Sequence, residues 1–395
     1  MSPFLSPLAL SCQSDQLRTV IQSAASHQKP LIAPLIDPFN NSCHRFLSSN
    51  PGRVMRHPYP IKEIARQAGL SEATVDRVLN SRGGVRESTV MEVHQAIKDL
   101  DRQRTQVRIG GRTFMMDIVM QAPERFSTAV RNALEAELPS LQPAVMRSRF
   151  HFRETGPASE LIATLDRIAK RGSQGVILKA PDLPEVGAAV GRLVAAGIPV
   201  VTLVSDLPSS ARLAYVGIDN RAAGTTAAYL IGQWLGERPG NVLTTISRGF
   251  FRGEEEREMG FRSAIRNTQP HRTLVEVTDS DGLDATQYDL VLDALQRDPS
   301  INAVYSMGGG NAATVAAFDA LGRQCAVFIA HDLDHDNTRL LRARRLSAVL
   351  HHDLRQDMRR ACQTIMRAHK ALPDEGPALP SAIQVVTPYN MPPVA

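Results

Sequence analysis

The chain contains few cysteines and no long apolar run. Its four cysteines, Cys12, Cys43, Cys325 and Cys362, lie far apart, and none stands in a CxxC or Cys/His spacing typical of zinc sites. The sequence therefore predicts neither a disulfide framework nor a metal site, and a reducing compartment fits best. No apolar run reaches the roughly 18 residues that a membrane helix requires, so we expect no membrane partner.

A strong excess of one charge is also missing. The formal net charge is only +5, which indicates a polyanionic partner only if the basic residues cluster. They do cluster, because residues 56–112 contain eleven basic and seven acidic residues, a local net charge of +4. Such a segment would give binding to nucleic-acid phosphates a salt-dependent component.

Residues 1–55 show no sustained hydrophobic period. They are rich in Ser, Pro, Asn and Gln, which predicts a disordered extension. Met55 directly precedes the first helical pattern, so translation starts either at Met1 or at Met55, and both interpretations stay open. The segment before Cys12 loosely resembles a lipoprotein signal but lacks its basic and full apolar regions, so we expect no export.

Residues 56–103 have the pattern of a small helical domain. Before Gly69, apolar residues recur at the spacing of one helix face, namely Ile61, Ile64, Ala65 and Ala68. Ser71 is placed to cap a second helix, Glu72 to Asn80, and Ser88 to cap a third. Two short helices joined by a glycine turn are typical of a helix-turn-helix unit, which enters the major groove of DNA.

A polar, basic stretch follows at residues 104–113, and it contains Gly110 and Gly111. Glycines and polar residues of this kind are typical of linkers. We therefore expect a linker or hinge between the helical domain and the rest of the chain.

Residues 114–390 alternate short apolar runs with longer amphipathic segments. This alternation predicts strands and crossover helices of parallel sheets. The predicted strands are Phe114–Met120, Val145–Phe152, Gly175–Leu178, Pro199–Val204, Tyr215–Ile218, Val242–Ile246, Leu274–Val277, Ala303–Ser306 and Val327–Ala330. Because these are too many for one typical sheet, we expect an α/β fold with a small all-α head and a two-lobed body. Ligands bind beyond the carboxyl ends of such strands, so the cleft between the lobes is the expected binding site.

The segment Ile61–Asn80 reads IKEIARQAGLSEATVDRVLN and combines an AGLS turn with a T-V-x-R-V-L-N helix. It is similar to the head of the LacI/GalR family of transcriptional regulators. The resemblance implies that Glu72, Ala73 and Arg77 read base edges, with Arg77 suited to a bidentate contact with guanine. It implies phosphate or backbone contacts for a second group, Ser71, Thr74, Asn80 and Thr89. We add Lys62 to this group. The alternative is that Glu72 and Arg77 form only the solvated side of a helical bundle.

Two features depart from the family pattern. Asp76 stands where the family has a small polar residue near phosphate, so its carboxylate either accepts from a cytosine amine or is held off the backbone by Arg77 or Lys62. Residues 106–112 do not resemble the family's hinge helix, because Ile109 is followed by two glycines. Minor-groove kinking by an inserted apolar side chain is therefore in doubt.

The resemblance extends more weakly over residues 114–390, to the family's effector domain and to ribose-type periplasmic binding proteins. Its anchors are Tyr215–Asn220, Arg257–Phe261, Ala303–Tyr305, Phe328–Asp332 and Leu346–Val349. It implies a type I periplasmic-binding-protein-like body, a final strand near Ile383–Thr387, a homodimer on double-stranded operator DNA, and a sugar or sugar derivative as effector. Arg257 matches the family's ligand arginine and Asp332 its ligand carboxylate; alternatively, each belongs to a structural ion pair, as Arg257 would with Glu254.

Four further side chains are candidates for the effector site. Phe126, after the first strand, is either a platform for a sugar ring or plain core, and Asp206, after the fourth strand, is a candidate acceptor. Asn311 follows three glycines where the family usually has an acid, and it either contacts hydroxyls or merely opens a helix. His351 stands where the family has a polar residue near the effector, and we interpret it as hydrogen-bonded or exposed rather than metal-binding.

These features together predict a transcriptional regulator, a repressor by expectation, located in the cytoplasm and associated with the nucleoid. We expect no enzymatic activity, no catalytic residue and no cofactor. A transport binding protein would have a secretion signal and no helical head. An enzyme would require a nucleophile elbow, a P-loop or a metal-ligand set, and the sequence contains none of these motifs.

Overall fold

The computed structural model describes residues 58–142, 144–247, 251–374, 376 and 379–392. The predicted extension at residues 1–55 lies outside them. The chain divides into two compact units between Val90 and Met91. Within the described residues, no helix is long and apolar enough to cross a membrane.

The first unit contains two short helices, α1 (Ile61–Ala68) and α2 (Glu72–Leu79). α1 ends at Gly69, whose φ of 66° lies in the left-handed region that favours glycine. The Ser71 side chain caps α2 as predicted, because its Oγ accepts a hydrogen bond from Thr74 N at 3.1 Å. The apolar sides of both helices are buried at Ile64, Ala65, Val75 and Leu79.

A third helix, α3 (Glu87–Ile109), crosses the boundary between the units. It begins one residue before Ser88, so the prediction that Ser88 caps it is wrong. The predicted linker at residues 104–113 is helical as far as Ile109, because the Gln and Arg residues that suggested a linker also favour a helix. The chain leaves the helix at Gly110 and Gly111.

The second unit contains two α/β lobes. The strands of the first lobe are β1 (Thr113–Gln121), β2 (Val145–Arg153), β3 (Gly175–Lys179), β4 (Val200–Leu203) and β5 (Ala214–Val216). All are parallel, in the order β2-β1-β3-β4-β5. Its helices are α4 (Glu124–Glu137), which a 3-10 turn extends, α5 (Ala158–Arg171) and α6 (Pro184–Ala195). β3 and β4 are buried along their whole length, as expected for central strands covered on both sides.

The strands of the second lobe are β6 (Asn241–Ser247), β7 (Leu274–Ser280), β8 (Ile301–Ser306), β9 (Val327–His331), β10 (Ala348–His351) and β11 (Gln384–Val386). They form a sheet in the order β11-β10-β9-β8-β6-β7, in which only β11 is antiparallel to its neighbour. The helices of this lobe are α7 (Asn220–Leu235), α8 (Arg252–Thr268), α9 (Asp284–Arg297), α10 (Asn311–Ala320) and α11 (His335–Arg342). The α/β class with parallel sheets is confirmed, although the list of predicted strands omits β10.

The chain passes between the lobes three times. It leaves β5 of the first lobe for α7 of the second, and it leaves β10 of the second for α12 (Leu354–Ala368). α12 packs on α4 and β4, and its Cys362 belongs to the core around Phe114 in the first lobe. The chain then returns to β11, and an isolated bridge between Ile218 and Ser381 joins the first and third crossings. The lobes are thus joined by three short segments, on one side of the cleft between them.

Candidate functional sites

α2 presents a polar side to solvent. Glu72, Ala73 and Arg77 are exposed, whereas Val75 and Leu79 on the opposite side are buried. The three predicted base-edge readers therefore lie together, and no apolar core covers them. Their role in DNA binding stays a prediction.

Asp76 has a different partner from the two that the sequence suggests. Its carboxylate forms an ion pair with Arg82 at 2.8 Å, rather than with Arg77 or Lys62. The Asn80 amide also donates to Asp76 Oδ1 at 2.7 Å and to its carbonyl oxygen at 3.0 Å. Both amide hydrogens of Asn80 are therefore used inside the head, which leaves none for the predicted phosphate contact in this conformation.

The other predicted DNA-binding residues lie around the start of α2 and on the neighbouring helices. Ser71 and Thr74 share a hydrogen bond of 2.8 Å between their hydroxyl oxygens. Lys62 is exposed on α1, and Thr89 is half-buried in the first turn of α3.

A cavity of about 740 Å³, including its open mouth, lies between the two lobes of the body. Its walls are built largely from residues at or just beyond the carboxyl ends of strands, such as Lys179 on β3, Met307 after β8 and Asp332 after β9. This is where open parallel sheets bind ligands. Four of the predicted effector residues line it: Phe126, Arg257, Asn311 and Asp332.

Asp206 is not among the residues that line the cavity. Its carboxylate pairs with Arg212, at 2.5 and 2.6 Å, and accepts from the Thr202 hydroxyl at 2.7 Å. Because Asp206 follows a strand, the sequence predicts it near the cleft. Its carboxylate instead forms a local ion pair with Arg212, six residues further along the chain.

His351 also lies outside the cavity lining. Its Nδ1 accepts a hydrogen bond from Leu333 N at 3.3 Å. Burial, together with the charge of His352, lowers the pKa of His351 to about 4. The ring is therefore neutral at pH 7, and it holds the loop after β9.

Arg257 does not form the ion pair with Glu254 that was the alternative to ligand binding. It is buried on α8, where its Nε donates to Asn220 Oδ1 at 2.9 Å and its Nη1 to Met307 O at 2.8 Å. Glu254 instead accepts from Ser247, from N and from Oγ, both at 2.8 Å. Asn220 and Met307, the partners of Arg257, are neutral. They fix its guanidinium group at the cavity wall without neutralising its charge.

Asp332 and Asn311 supply acceptors to the cavity. Burial alone would raise the pKa of Asp332, but His352 and Arg257 hold it well below its usual range, so the carboxylate is ionised. Asn311 uses its amide nitrogen to donate to Asn337 Oδ1 at 2.8 Å. Within the described residues, Asn311 Oδ1 is a buried oxygen that accepts no hydrogen bond, and Asp332 Oδ1 forms one long ion pair, 3.4 Å from His352 Nε2. Hydroxyl groups of a ligand would satisfy both.

Asp332 is connected to the lobe crossings through His352. The His352 ring is buried, with Nε2 3.4 Å from Asp332 Oδ1 and Nδ1 2.5 Å from Asp357 Oδ2. Ser381 Oγ, on the third crossing, donates to the other oxygen of Asp357. Burial opposes the imidazolium charge, but the two carboxylates outweigh it and raise the pKa of His352 to about 9. A charged histidine thus joins the cavity wall to the segments that connect the lobes.

Two family models match the chain. Residues 60–103 match the model described as bacterial regulatory proteins, LacI family. Residues 118–371 match the model described as a periplasmic binding protein domain. The head of the chain therefore belongs to the LacI family, and the body, which covers more than half of the chain, is a periplasmic binding protein domain.

Solved structures share the fold of this periplasmic binding protein domain at low sequence identity. GanP, a glucose-galactose binding protein from Geobacillus stearothermophilus, is 18% identical with a TM-score of 0.63, over 71% of this chain and 99% of its own. A Bacteroides fragilis protein assigned as a LacI transcriptional regulator is 16% identical with a TM-score of 0.62, over 71% and 98%. A solute-binding protein from Burkholderia graminis, in complex with D-arabinose, is 18% identical with a TM-score of 0.61, over 71% and 96%. No curated protein sequence matches the chain.

Sequence reasoning about the LacI-family site missed Lys179 and Arg125. Lys179 is the last residue of β3, whose other positions are apolar or glycine. A single charge at the carboxyl end of a buried strand is a signal that identifies it. Arg125 carries no comparable signal, because the partner that draws it across the cleft, Asp334, is 209 residues away in the sequence.

In the described part of this LacI-family chain, no three or more His, Cys, Asp or Glu side chains are grouped so that they would hold a metal ion. His351 and His352 are adjacent in sequence, but the first accepts from a backbone N–H and the second binds two carboxylates. These contacts engage His351 Nδ1 and both ring nitrogens of His352.

Proposed function

We propose that this LacI-family protein is a sugar-responsive repressor. In this proposal the exposed side of α2 reads double-stranded operator DNA, and a sugar or sugar derivative in the cavity controls operator affinity. The observation that carries the proposal is the presence, in one chain with a LacI-family head, of an exposed polar helix and of a cavity lined by the acceptor oxygens of Asn311 and Asp332. Structures with the same fold include proteins named for binding glucose and galactose, or solved with D-arabinose or D-allose.

The position of the cavity supports control by the ligand. The cavity lies between two lobes that only three segments connect, so a ligand that contacts both lobes would favour one relative orientation. A ligand shifts DNA affinity only as far as it discriminates between the two orientations. We propose that two copies bind a pseudo-palindromic operator in the cytoplasm, at the nucleoid, with residues 56–103 as the head, 104–113 as the connection and 114–390 as the sensor.

The variant Arg77→Ala tests the DNA-binding part of this proposal. Duplexes that the full chain selects from a random pool supply the operator, and fluorescence anisotropy compares it with a scrambled duplex at fixed salt. Loss of a bidentate guanine contact is expected to reduce discrimination about tenfold to hundredfold. Arg342→Ala, which removes an exposed arginine of the body, serves as the control. Equal discrimination by Arg77→Ala and the parent chain would refute the proposal.

A further inference from the structure

Two buried cations line the cavity without an acidic partner. Lys179 and Arg257 are 9% and 4% exposed. Among the described residues, neither forms an ion pair with a carboxylate. Lys179 Nζ has one long hydrogen bond, 3.4 Å to Gln121 O, and lies 3.8 Å from the centre of the Phe251 ring. The Lys179 ammonium group therefore has hydrogen-bond donors to spare.

This arrangement is unfavourable without a ligand. An ammonium group that is removed from water and left without an anion loses hydration that one weak hydrogen bond does not replace. Burial lowers the pKa of Lys179 to about 8, even though the nearby charges of Glu254 and Asp332 raise it; the like charge of Arg257 adds to the lowering. An anion bound beside both cations would raise this pKa again.

Within the described residues, the acidic residues of the cavity form no ion pair with Lys179 or Arg257, and each of them accepts from or pairs with other protein groups. Glu254 accepts from Ser247, and Asp334 pairs with Arg125 at 2.9 Å. Glu154 accepts from Glu124 N, and Asp281 accepts from Leu283 N and from the Thr286 hydroxyl. Asp332 pairs with His352. The cavity thus offers two cations that form no ion pair, together with Asn311 Oδ1, which lacks a donor, and Asp332 Oδ1, whose partner His352 lies 3.4 Å away.

We propose that the effector is an acidic sugar derivative, a polyhydroxylated molecule with one carboxylate or phosphate group. Lys179 and Arg257 bind its anionic group, while Asn311 and Asp332 accept hydrogen bonds from its hydroxyls. This proposal rests on the function proposed above and names the chemical class of its effector. Lys179 is the residue that determines the preference for an acid over the neutral sugar.

The test is isothermal titration calorimetry on the full chain with matched probes. The neutral probes are D-glucose, D-galactose and D-arabinose; the carboxylates are D-gluconate, D-galactonate and D-arabinonate; the phosphates are D-glucose 6-phosphate, D-galactose 6-phosphate and D-arabinose 5-phosphate. At least one acid is expected to bind ten times more tightly than its neutral counterpart, and the series to which it belongs identifies the anion. Lys179→Met is expected to reduce the affinity for that acid about tenfold to hundredfold and to leave the affinity for the neutral sugars unchanged. Lys98→Met, at an exposed lysine, is expected to change neither affinity.

Proton uptake provides a second readout, which loss of folding would not imitate. At pH 8.5 an acidic probe is expected to take up protons on binding, measured in two buffers of different ionisation enthalpy, and Lys179→Met is expected to abolish the uptake. The proposal is overturned if no acid binds, or if a neutral sugar binds as tightly as its acids with no effect of Lys179→Met. The proposed function fails by a different result, namely an operator affinity that no bound probe alters in the same samples.

Discussion

Arg125 and Asp334 form an ion pair across the cleft between the lobes, with Arg125 Nε 2.9 Å from Asp334 Oδ2. Arg125 lies on α4 of the first lobe, and Asp334 caps α11 of the second by accepting from Asn337 N at 2.8 Å. The Arg125 side chain is 20% exposed and that of Asp334 is 5% exposed, so salt screens the pair little. The pair therefore stabilises this arrangement of the lobes.

The variant Arg125→Met tests the role of this ion pair. It removes the charge while keeping most of the aliphatic chain, and it leaves Asp334 buried without a cation. We expect effector affinity to fall by about 1–3 kcal/mol, because part of the binding free energy is then used to bring the lobes together. Small-angle scattering is expected to show a larger radius of gyration without ligand.

Arg192→Met is a matched control for Arg125→Met. Arg192 pairs with Asp166 inside the first lobe at 2.8 Å, and both side chains are well exposed. Exposed ion pairs contribute little, so affinity and radius should equal those of the parent chain. If Arg125→Met behaved in the same way, the ion pair would have no part in positioning the lobes.

His352 makes stability depend on pH. Its pKa is raised from 6.5 to about 9 by Asp332 and Asp357, against the effect of burial. A raised pKa contributes stability that is complete below pH 6.5 and is lost as the pH rises through 9, in total roughly 3 kcal/mol. Urea unfolding of the parent chain should show this loss between pH 6.5 and 9. Lys179 titrates in part of the same window, so the difference from His352→Gln isolates the histidine.

In His352→Gln the pH-dependent loss is expected to disappear, and the variant is expected to be less stable than the parent at pH 6.5. A parallel pH profile for parent and variant would mean that His352 is uncharged in the folded protein. In that case Arg257, and not a charged His352, would hold Asp332 ionised.

The sequence predicts those parts of the fold that depend on local patterns. Strand β3 is found within one residue of its predicted bounds, because a short apolar run next to an amphipathic segment has one main interpretation in an α/β protein. The Ser71 cap follows from the same kind of local chemistry. β10, which has four residues, is absent from the list of predicted strands, although its first two residues, Ala348 and Val349, end the anchor Leu346–Val349.

Whether a residue is available to a ligand depends on its partners, which are distant in sequence for Arg125 and close in sequence for Asp206. Arg125 is drawn to Asp334 on the other lobe. Asp206 follows a strand as a ligand residue would, but it is neutralised by Arg212. Ser88 has the chemistry of a cap, yet α3 begins one residue earlier. Position in a strand thus predicts which end of the sheet a residue occupies, while its partners decide whether it is available to a ligand.

Gly224 permits a close approach of α7 to α8. A Cβ at Gly224 would lie 1.9 Å from the carbonyl oxygen of Arg257, which is backbone and cannot rotate away. Gly224→Ala is therefore expected to destabilise the protein by roughly 1–3 kcal/mol and to displace Arg257 from the cavity wall. Urea unfolding and calorimetric titration with a bound probe measure the two effects.

Gly191→Ala provides the control for Gly224→Ala. Gly191 lies within α6, and a Cβ there has no atom within 4 Å. Alanine should stabilise the helix by about 0.5–1 kcal/mol and leave effector binding unchanged. A stabilising effect of alanine at Gly224 as well would show that the two helices separate at no cost.

The ion pair between Asp76 and Arg82 keeps a negative charge of α2 neutralised beside the proposed DNA surface. In Arg82→Ala the Asp76 carboxylate keeps only the Asn80 amide, and it would repel the phosphates of a bound duplex. We expect the operator and the scrambled duplex both to bind more weakly, because the loss concerns contacts with the DNA backbone rather than with bases. The slope of log affinity against log salt concentration is expected to fall by about one phosphate contact. Adding Asp76→Asn should recover part of the affinity. If the double variant bound no better than Arg82→Ala, Arg82 would act through its own phosphate contact, and the neutralisation of Asp76 would be irrelevant to DNA binding.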